Sequence, residues 1–141
     1  MKKKQQPSET PVYLFLGFLE SGKTKFIQET LEDERFDSGE KTLLLVTEEG
    51  EAEYDSSRFA VKGVDVAAIE SKDELTQEKL SFLQQKYKAE RILIEYNGMW
   101  LLDDFYEAMP EGWMLSQVMT FIDSGTFLSY NANMRQLMFD K

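Results

Sequence analysis

The sequence contains neither cysteine nor histidine in its 141 residues. The lack of cysteine excludes disulfides and thiol catalysis. The lack of both residues excludes a catalytic triad built on histidine, as well as zinc or nickel sites made of thiolate or imidazole ligands. The chemistry open to this chain is therefore that of carboxylate, hydroxyl, lysine and backbone groups.

Basic residues are also scarce. The chain has 16 lysines and arginines against 26 aspartates and glutamates, which gives a formal net charge of -10. Nucleic-acid binding requires a basic surface that displaces counterions, so this excess of acid argues against such a partner. The one basic cluster, Lys2 to Lys4, lies beside polar residues, and we expect residues 1–11 to form a flexible N-terminal arm.

Long apolar runs are missing as well. No stretch approaches the ~18 apolar residues of a membrane-spanning helix, and the apolar segment of a signal peptide does not follow the basic start. We therefore expect a cytoplasmic protein that does not contact a membrane. Length and apolar content predict one domain with a single core, covering residues 12–141.

The order of apolar segments predicts an α/β fold. Short apolar runs typical of buried strands begin near residues 12, 42, 64, 91 and 113, and helical patterns cover 24–36, 71–87, 101–109 and 125–141. Ser71 is placed to cap the second helix. Strands that alternate with helices favour right-handed crossovers and a mostly parallel sheet with helices on both faces.

One joint between a strand and a helix carries a phosphate-binding pattern. "GFLESGKT", residues 17–24, fits G-x-x-x-x-G-K-[ST] in the strand-to-helix context that this motif requires. Successive backbone N–H groups and the positive end of the helix dipole would form an anion cradle. Gly17 and Gly22 allow the tight path, Lys23 supplies charge for the β- and γ-phosphates, and the Thr24 hydroxyl can bind Mg²⁺.

Glu20 is the residue that fits this loop least well. A carboxylate opposes anion binding unless it points to solvent. We expect Glu20 to point outward, because backbone N–H groups rather than side chains line the cradle. The residues predicted to bind the nucleotide are Glu20, Ser21, Gly22, Lys23, Thr24 and Lys25.

An acidic segment, "TEEGEAEYD", follows the second predicted strand at residues 47–55. Near a phosphate loop, such carboxylates can bind Mg²⁺ or position the attacking water. We select Glu48 to help place the water and Asp55 as a metal ligand. A solvated acidic loop is the alternative, particularly for Glu49 and Glu53.

The fourth predicted strand ends in "ILIEYNG". Because a carboxylate at the end of a buried strand needs a partner, and Mg²⁺ is such a partner, Glu95 is a candidate metal ligand. The Gly98 N–H could sense a γ-phosphate. A plain Asn97–Gly98 turn is the alternative.

Ligands bind beyond the carboxyl ends of parallel strands, so we expect the three segments to converge on one site. The predicted catalytic residues are Lys23, Glu48 and Gly98, and the predicted metal ligands are Thr24, Asp55 and Glu95.

Together these segments resemble the CobW-type metallochaperone GTPases, relatives of the UreG and HypB nickel-insertion GTPases. "GFLESGKTK" is similar to the family's "GFLGSGKTT", "VTEEGEAEYD" to "VNEFGEVGID", "LIEYNGMWLLDDF" to the "IETSGLADP" region, and "VMTFIDSGTFLSY" to "VVTVVDAETFL". The resemblance implies a P-loop fold and Mg²⁺-dependent GTP binding and hydrolysis. It also implies switch segments that report the nucleotide state to a partner or client protein, and a link to metal homeostasis or cofactor assembly.

The chain departs from the family in several places. The interval that should hold a metal-binding cysteine motif contains no cysteine, so metal delivery through that motif is not supported. Glu20 and Lys25 replace a glycine and a threonine, and Tyr96 and Asn97 replace small residues. The guanine-reading N-K-x-D segment would follow another helix and strand beyond Lys141. GTP therefore rests on the resemblance, and we expect a C-terminally incomplete domain.

Two other functions remain open at this point. One is a non-hydrolysing interaction module that keeps the P-loop fold, and the other is a small-molecule kinase built on the same loop. We also expect a homo-oligomer, because the predicted last helix is strongly apolar and the incomplete sheet would present an unpaired edge.

Overall fold

A computed structural model describes residues 10–17, 23–37, 39–47, 54–96, 100–123, 126–131 and 136–140. Three α-helices lie in these ranges: α1 (Lys23–Leu31), α2 (Gln77–Tyr87) and α3 (Leu102–Ala108). Short 3-10 helices cover Glu34–Phe36, Ser56–Arg58 and Lys72–Glu74. The strands are β1 (Thr10–Leu16), β2 (Thr42–Val46), β3 (Val64–Ala68), β4 (Arg91–Glu95), β5 (Trp113–Asp123), β6 (Thr126–Asn131) and β7 (Gln136–Asp140).

These strands form one sheet in the order β3-β2-β4-β1-β5-β6-β7. The first five strands of that order, β3 to β5, run parallel to one another. Each parallel pair needs a crossover connection, and α1, α2 and α3 lie in these connections. The α/β class and the mostly parallel sheet predicted from the sequence are confirmed.

The sheet is covered by helices on both faces, as predicted. Ile92 and Ile94 of β4 belong to a buried cluster that includes residues of α2 and α3. Leu93, which points to the opposite face, belongs to a second cluster with Ile27 and Leu31 of α1. Because successive side chains of a strand point to opposite faces, one apolar strand supplies both cores.

The start of the second helix differs from the prediction. Ser71 makes no side-chain capping bond, and it precedes the 3-10 helix Lys72–Glu74. The α-helix begins after Thr76, whose side chain accepts a hydrogen bond from the Lys79 N–H at 3.1 Å. Thr76 has the extended backbone and the side-chain acceptor that define an N-cap, and Ser71 lacks the second of these.

The predicted last helix, residues 125–141, is wrong. The described residues in this range form β6 and β7, which are antiparallel to their neighbours. Pairing with β6 covers the outer edge of β5, so β3 and β7 are the outermost of the described strands. The physical reason is that an open edge of β5 offers a row of backbone hydrogen-bonding groups that an adjacent segment can satisfy.

The helices of the described ranges are too short or too polar to cross a membrane. None of them combines the length and the apolar character that crossing a bilayer requires.

Candidate functional site

The sheet brings three strand ends together at one edge. Glu95 is the last paired residue of β4, and it stands opposite Phe15 of β1 and Val46 of β2. Past these pairs, the Tyr96 N–H donates to the Phe15 carbonyl at 2.9 Å and the Thr47 N–H donates to the Glu95 carbonyl at 3.0 Å. The segments after β1, β2 and β4 therefore start side by side, as the sequence predicted.

The chain leaves β1 through Gly17, which has a φ of +137°. A side chain at this φ would clash with the backbone, so glycine is the residue that the position favours. The backbone conformation at the end of β1 therefore requires the first glycine of the phosphate-loop motif.

Helix α1 begins at Lys23 and packs against one face of the sheet. Ile27 and Leu31 are fully buried. The Phe26 ring packs edge-on against Phe121 of β5, with 5.2 Å between ring centroids. The first turn of α1 contains no acidic residue, so the positive end of its dipole is not neutralised from within the helix.

Glu95 is the centre of the described site. Its side chain is almost completely buried, with 1% exposure. One carboxylate oxygen, Oε2, accepts from the Thr24 hydroxyl at 2.5 Å, and the other, Oε1, accepts from the Tyr54 hydroxyl at 2.5 Å. Two hydroxyl donors, one on each oxygen, offset the cost of removing the carboxyl group from water.

Thr47 fixes the backbone behind this carboxylate. Its hydroxyl donates to the Glu95 carbonyl at 3.0 Å, so that this oxygen accepts both the hydroxyl and the N–H of the same residue. Thr47 is itself buried. The end of β4 is therefore tied to the end of β2 immediately beside the Glu95 side chain.

A second contact joins α1 to the segment after β2. The Gln28 side chain accepts from the Asp55 N–H at 3.0 Å and donates to the Asp55 carbonyl at 3.1 Å. Gln28 also donates to Glu32 at 2.7 Å, and Glu32 forms an ion pair with Arg58 at 3.3 Å. Thr24, Gln28 and Glu32 lie at i, i+4 spacing, which places them on one face of the helix.

Asp55, a predicted metal ligand, makes a different set of contacts. Its Oδ1 accepts from the Ser57 N–H at 3.1 Å and from the Ser57 hydroxyl at 2.5 Å. Tyr54, rather than Asp55, provides the side chain that reaches Glu95. Among the described residues, no three carboxylates gather into a group that could hold a metal ion. The role of Asp55 as a ligand stays a prediction.

The sequence that forms this arrangement also matches a known protein family. The model of the CobW/HypB/UreG nucleotide-binding domain matches residues 11–138. The chain belongs to this family. No curated protein and no solved structure shows a significant similarity to it. As a member of the CobW/HypB/UreG family, the chain contains a P-loop nucleotide-binding domain.

Of the site residues predicted from the sequence, the structure brings Thr24 and Glu95 together. Lys25 lies exposed on α1, and Lys23 opens that helix. The other predicted site residues lie outside the described ranges and stay predictions: Glu20, Ser21, Gly22, Glu48 and Gly98.

Sequence reasoning missed two residues that contact the predicted site residues, Tyr54 and Gln28. Tyr54 directly precedes the predicted ligand Asp55, and Gln28 follows Thr24 by one helical turn. The spacing of Gln28 from Thr24 was a usable signal, because side chains four residues apart share a helix face. The Tyr54 contact had no local signal, since it joins residues 41 positions apart.

Proposed function

We propose that this domain binds GTP together with Mg²⁺ and hydrolyses the bond between the β- and γ-phosphates. The observation that carries the proposal is the hydrogen bond between Thr24 and Glu95. It joins the first turn of the helix after the phosphate-loop motif to a buried carboxylate at the end of β4. A P-loop nucleoside triphosphatase needs such a pair of oxygen donors next to its phosphate cradle. GTP, rather than ATP, is supported by membership in the CobW/HypB/UreG family.

The donor set suits Mg²⁺. A hydroxyl and a carboxylate are the hard oxygen ligands that this ion binds, often through its own waters. Thr24 and Glu95 would hold the ion, with Asp55 as the proposed third ligand. When bound, Mg²⁺ supplies positive charge that offsets the charge of the phosphate oxygens.

The remaining predicted residues would act on the nucleotide itself. Lys23 would stabilise charge on the β- and γ-phosphates, the Gly98 N–H would bind the γ-phosphate, and Glu48 would orient the attacking water. The backbone of the phosphate loop would hold the phosphates in place, with contributions from Ser21 and Gly22 and, at its ends, from Glu20 and Lys25.

The wider role is proposed from the family. We place this domain in the cytoplasm, where its nucleotide state would be reported to a client protein in metal homeostasis or cofactor assembly. We also propose that copies associate through an outer strand of the sheet, because β3 and β7 are the outermost described strands. A monomeric mass at micromolar protein concentration would contradict that association.

Phosphate release is the direct test of the proposed reaction. The protein is incubated with GTP or ATP in the presence of Mg²⁺, and inorganic phosphate is measured over time. Lys23→Ala should lower release by about 100-fold or more, since loss of one group that stabilises transition-state charge costs at least this much. Lys62→Ala is the matched control, because exposed Lys62 precedes β3, at the opposite end of the parallel strands.

The possible outcomes separate the alternatives. GTP binding without phosphate release would favour a non-hydrolysing interaction module. Equal release from GTP and ATP would contradict guanine specificity and would leave the small-molecule kinase open. Equal loss of activity in Lys23→Ala and Lys62→Ala would contradict the role given to the phosphate loop.

A further inference from the structure

Tyr54 covers the carboxylate that the proposed site requires. Its hydroxyl donates to Glu95 Oε1 at 2.5 Å, and Thr24 holds the other oxygen at 2.5 Å. Only 1% of Glu95 is exposed in this arrangement. A metal ion with its waters therefore cannot reach Glu95 unless a neighbouring side chain moves away.

The two described side chains that donate to the Glu95 carboxylate, those of Thr24 and Tyr54, differ in how firmly they are held. Thr24 lies in the first turn of α1, which the buried side chains of Ile27 and Leu31 fix to the sheet. Tyr54 lies in the connection after β2, outside any helix or strand. It packs against the same buried cluster as Ile27 and Leu31, but it is itself only partly buried. Displacement of Tyr54 moves one half-buried side chain, whereas displacement of α1 moves the fully buried Ile27 and Leu31, so of these two we take Tyr54 as the one that gives way.

We propose that Tyr54 is a positioning residue that competes with the Mg²⁺-nucleotide complex for Glu95. Before the complex binds, the Tyr54 hydroxyl holds the carboxylate. Binding of Mg²⁺ and nucleotide breaks this hydrogen bond and releases Tyr54. This inference rests on the proposed function, because it concerns the same site and its regulation.

Release of Tyr54 would be passed to the next residues of the chain. Asp55 is fixed to α1 by the two hydrogen bonds of Gln28, and Arg58 is fixed by its ion pair with Glu32. These contacts lie one and two helical turns beyond Thr24 on the same face of α1. Displacement of Tyr54 would strain the Gln28–Asp55 and Glu32–Arg58 contacts. The segment 54–58 would then have two arrangements, one with nucleotide bound and one without.

Tyr54→Phe tests the proposal, because it removes the hydroxyl and keeps the ring. Affinity for a fluorescent GTP analogue is measured with Mg²⁺ and with EDTA. Hydrogen bonds to charged groups are strong enough that their loss changes an equilibrium by about tenfold or more. Tyr54→Phe should therefore bind about tenfold more tightly than the wild type in Mg²⁺ and equally well in EDTA. Tyr106→Phe, on the surface of α3 at the other face of the sheet, should bind like the wild type in both.

Each outcome decides something. A gain that is confined to Mg²⁺ supports the competition, whereas a purely structural role of Tyr54 would change affinity equally in both conditions and would overturn it. If the wild type binds the nucleotide and Tyr54→Phe binds it equally well or more weakly in Mg²⁺, the inference is overturned and the proposed function is left intact. No binding by the wild type in either condition overturns both.

Hydrogen exchange gives a readout that is independent of affinity. The Asp55 amide donates to Gln28, so its exchange rate reports whether the segment stays attached to α1. Addition of GTP and Mg²⁺ to the wild type should speed this exchange several-fold. An unchanged rate in protein that has bound both would show that Tyr54 is not released.

Discussion

At the scale of single residues, the chain keeps two polar side chains in its core beside each other in sequence, Glu95 and Tyr96. Each is about 1% exposed, and they point to opposite faces of the sheet. Glu95 is stabilised by hydroxyl donors, and Tyr96 donates its own hydroxyl to the Leu101 carbonyl at 2.8 Å. The Tyr96 ring also packs edge-on against Trp100 and Phe105. Tyr96 thus anchors the chain after β4 while Glu95 serves the site.

Tyr96 gives the protein a pH-dependent stability at high pH. Burial, and to a smaller extent the charge of Asp104, raises the pKa of Tyr96 from 10.0 to about 12. The folded state therefore holds this proton more tightly than the unfolded state, so the contribution is complete below about pH 10 and is lost between pH 10 and 12. It amounts to at most about 3 kcal/mol, at 1.36 kcal/mol for each pKa unit.

Urea denaturation of the wild type and Tyr96→Phe across this range measures the effect. At neutral pH the variant should be less stable by about 1 kcal/mol, because it lacks the hydrogen bond to Leu101. The difference should shrink or reverse towards pH 12, since phenylalanine has no proton to lose. A constant difference at all pH values would contradict the assigned pKa.

At the scale of elements, the N-terminus of α2 shows what capping requires. The cap predicted from the sequence is Ser71, but the Thr76 side chain makes the capping bond to Lys79. Both residues have extended backbones and both carry a hydroxyl. They differ in the next residues of the chain, since Lys72–Glu74 forms a 3-10 helix that ends at Leu75 and the α-helix starts only after Thr76.

A pair of matched substitutions tests this assignment. Thr76→Ala should lower the free energy of unfolding by about 1 kcal/mol, the usual cost of losing an N-cap. Ser71→Ala should change it by less than about 0.5 kcal/mol, as is typical of surface changes that remove no such contact. Denaturant midpoints of the two variants provide the measurement. Equal losses would mean that both hydroxyls stabilise the start of the helix.

The alternation of elements up to β5 could be predicted because its signals are local. Apolar runs such as Thr42–Val46 and the helical spacing of Ile27 and Leu31 depend on a few neighbouring residues. The C-terminal strands could not be predicted in this way. Their apolar residues suit a helix face as well as a strand. The strand forms because it pairs with β5, a partner that the local sequence does not reveal. The Ser124–Gly125 dipeptide, a turn signal, was the clue that favoured a hairpin.

The site divides along the same line. The meeting of Thr24 with Glu95 could be predicted, because parallel strands place their carboxyl ends at one edge and the motif fixes the start of α1. The cover by Tyr54 could not, since it depends on the path that the chain takes after β2.

At the scale of the whole molecule, the sheet acts as a frame that sets the ends of β1, β2 and β4 side by side. Two separate cores, one on each face, hold that frame. One face of α1 carries the Thr24–Glu95 pair, and the same face carries the contacts of Gln28 with Asp55 and of Glu32 with Arg58. Under the proposed function, nucleotide binding at one end of this face would be transmitted along it to the segment 54–58.

The central claim is that Thr24 and Glu95 form the Mg²⁺-binding side of a nucleotide site. The most direct measurement is GTP affinity with Mg²⁺ and with EDTA, for the wild type, Thr24→Val and Thr30→Val. Thr30 is the matched control, because it lies on the same helix but its hydroxyl donates to the Phe26 carbonyl. The wild type and Thr30→Val should bind at least about tenfold more tightly in Mg²⁺ than in EDTA, and Thr24→Val should lose most of that gain. Equal affinity in Mg²⁺ and EDTA for the wild type, or an unchanged gain in Thr24→Val, would contradict the claim.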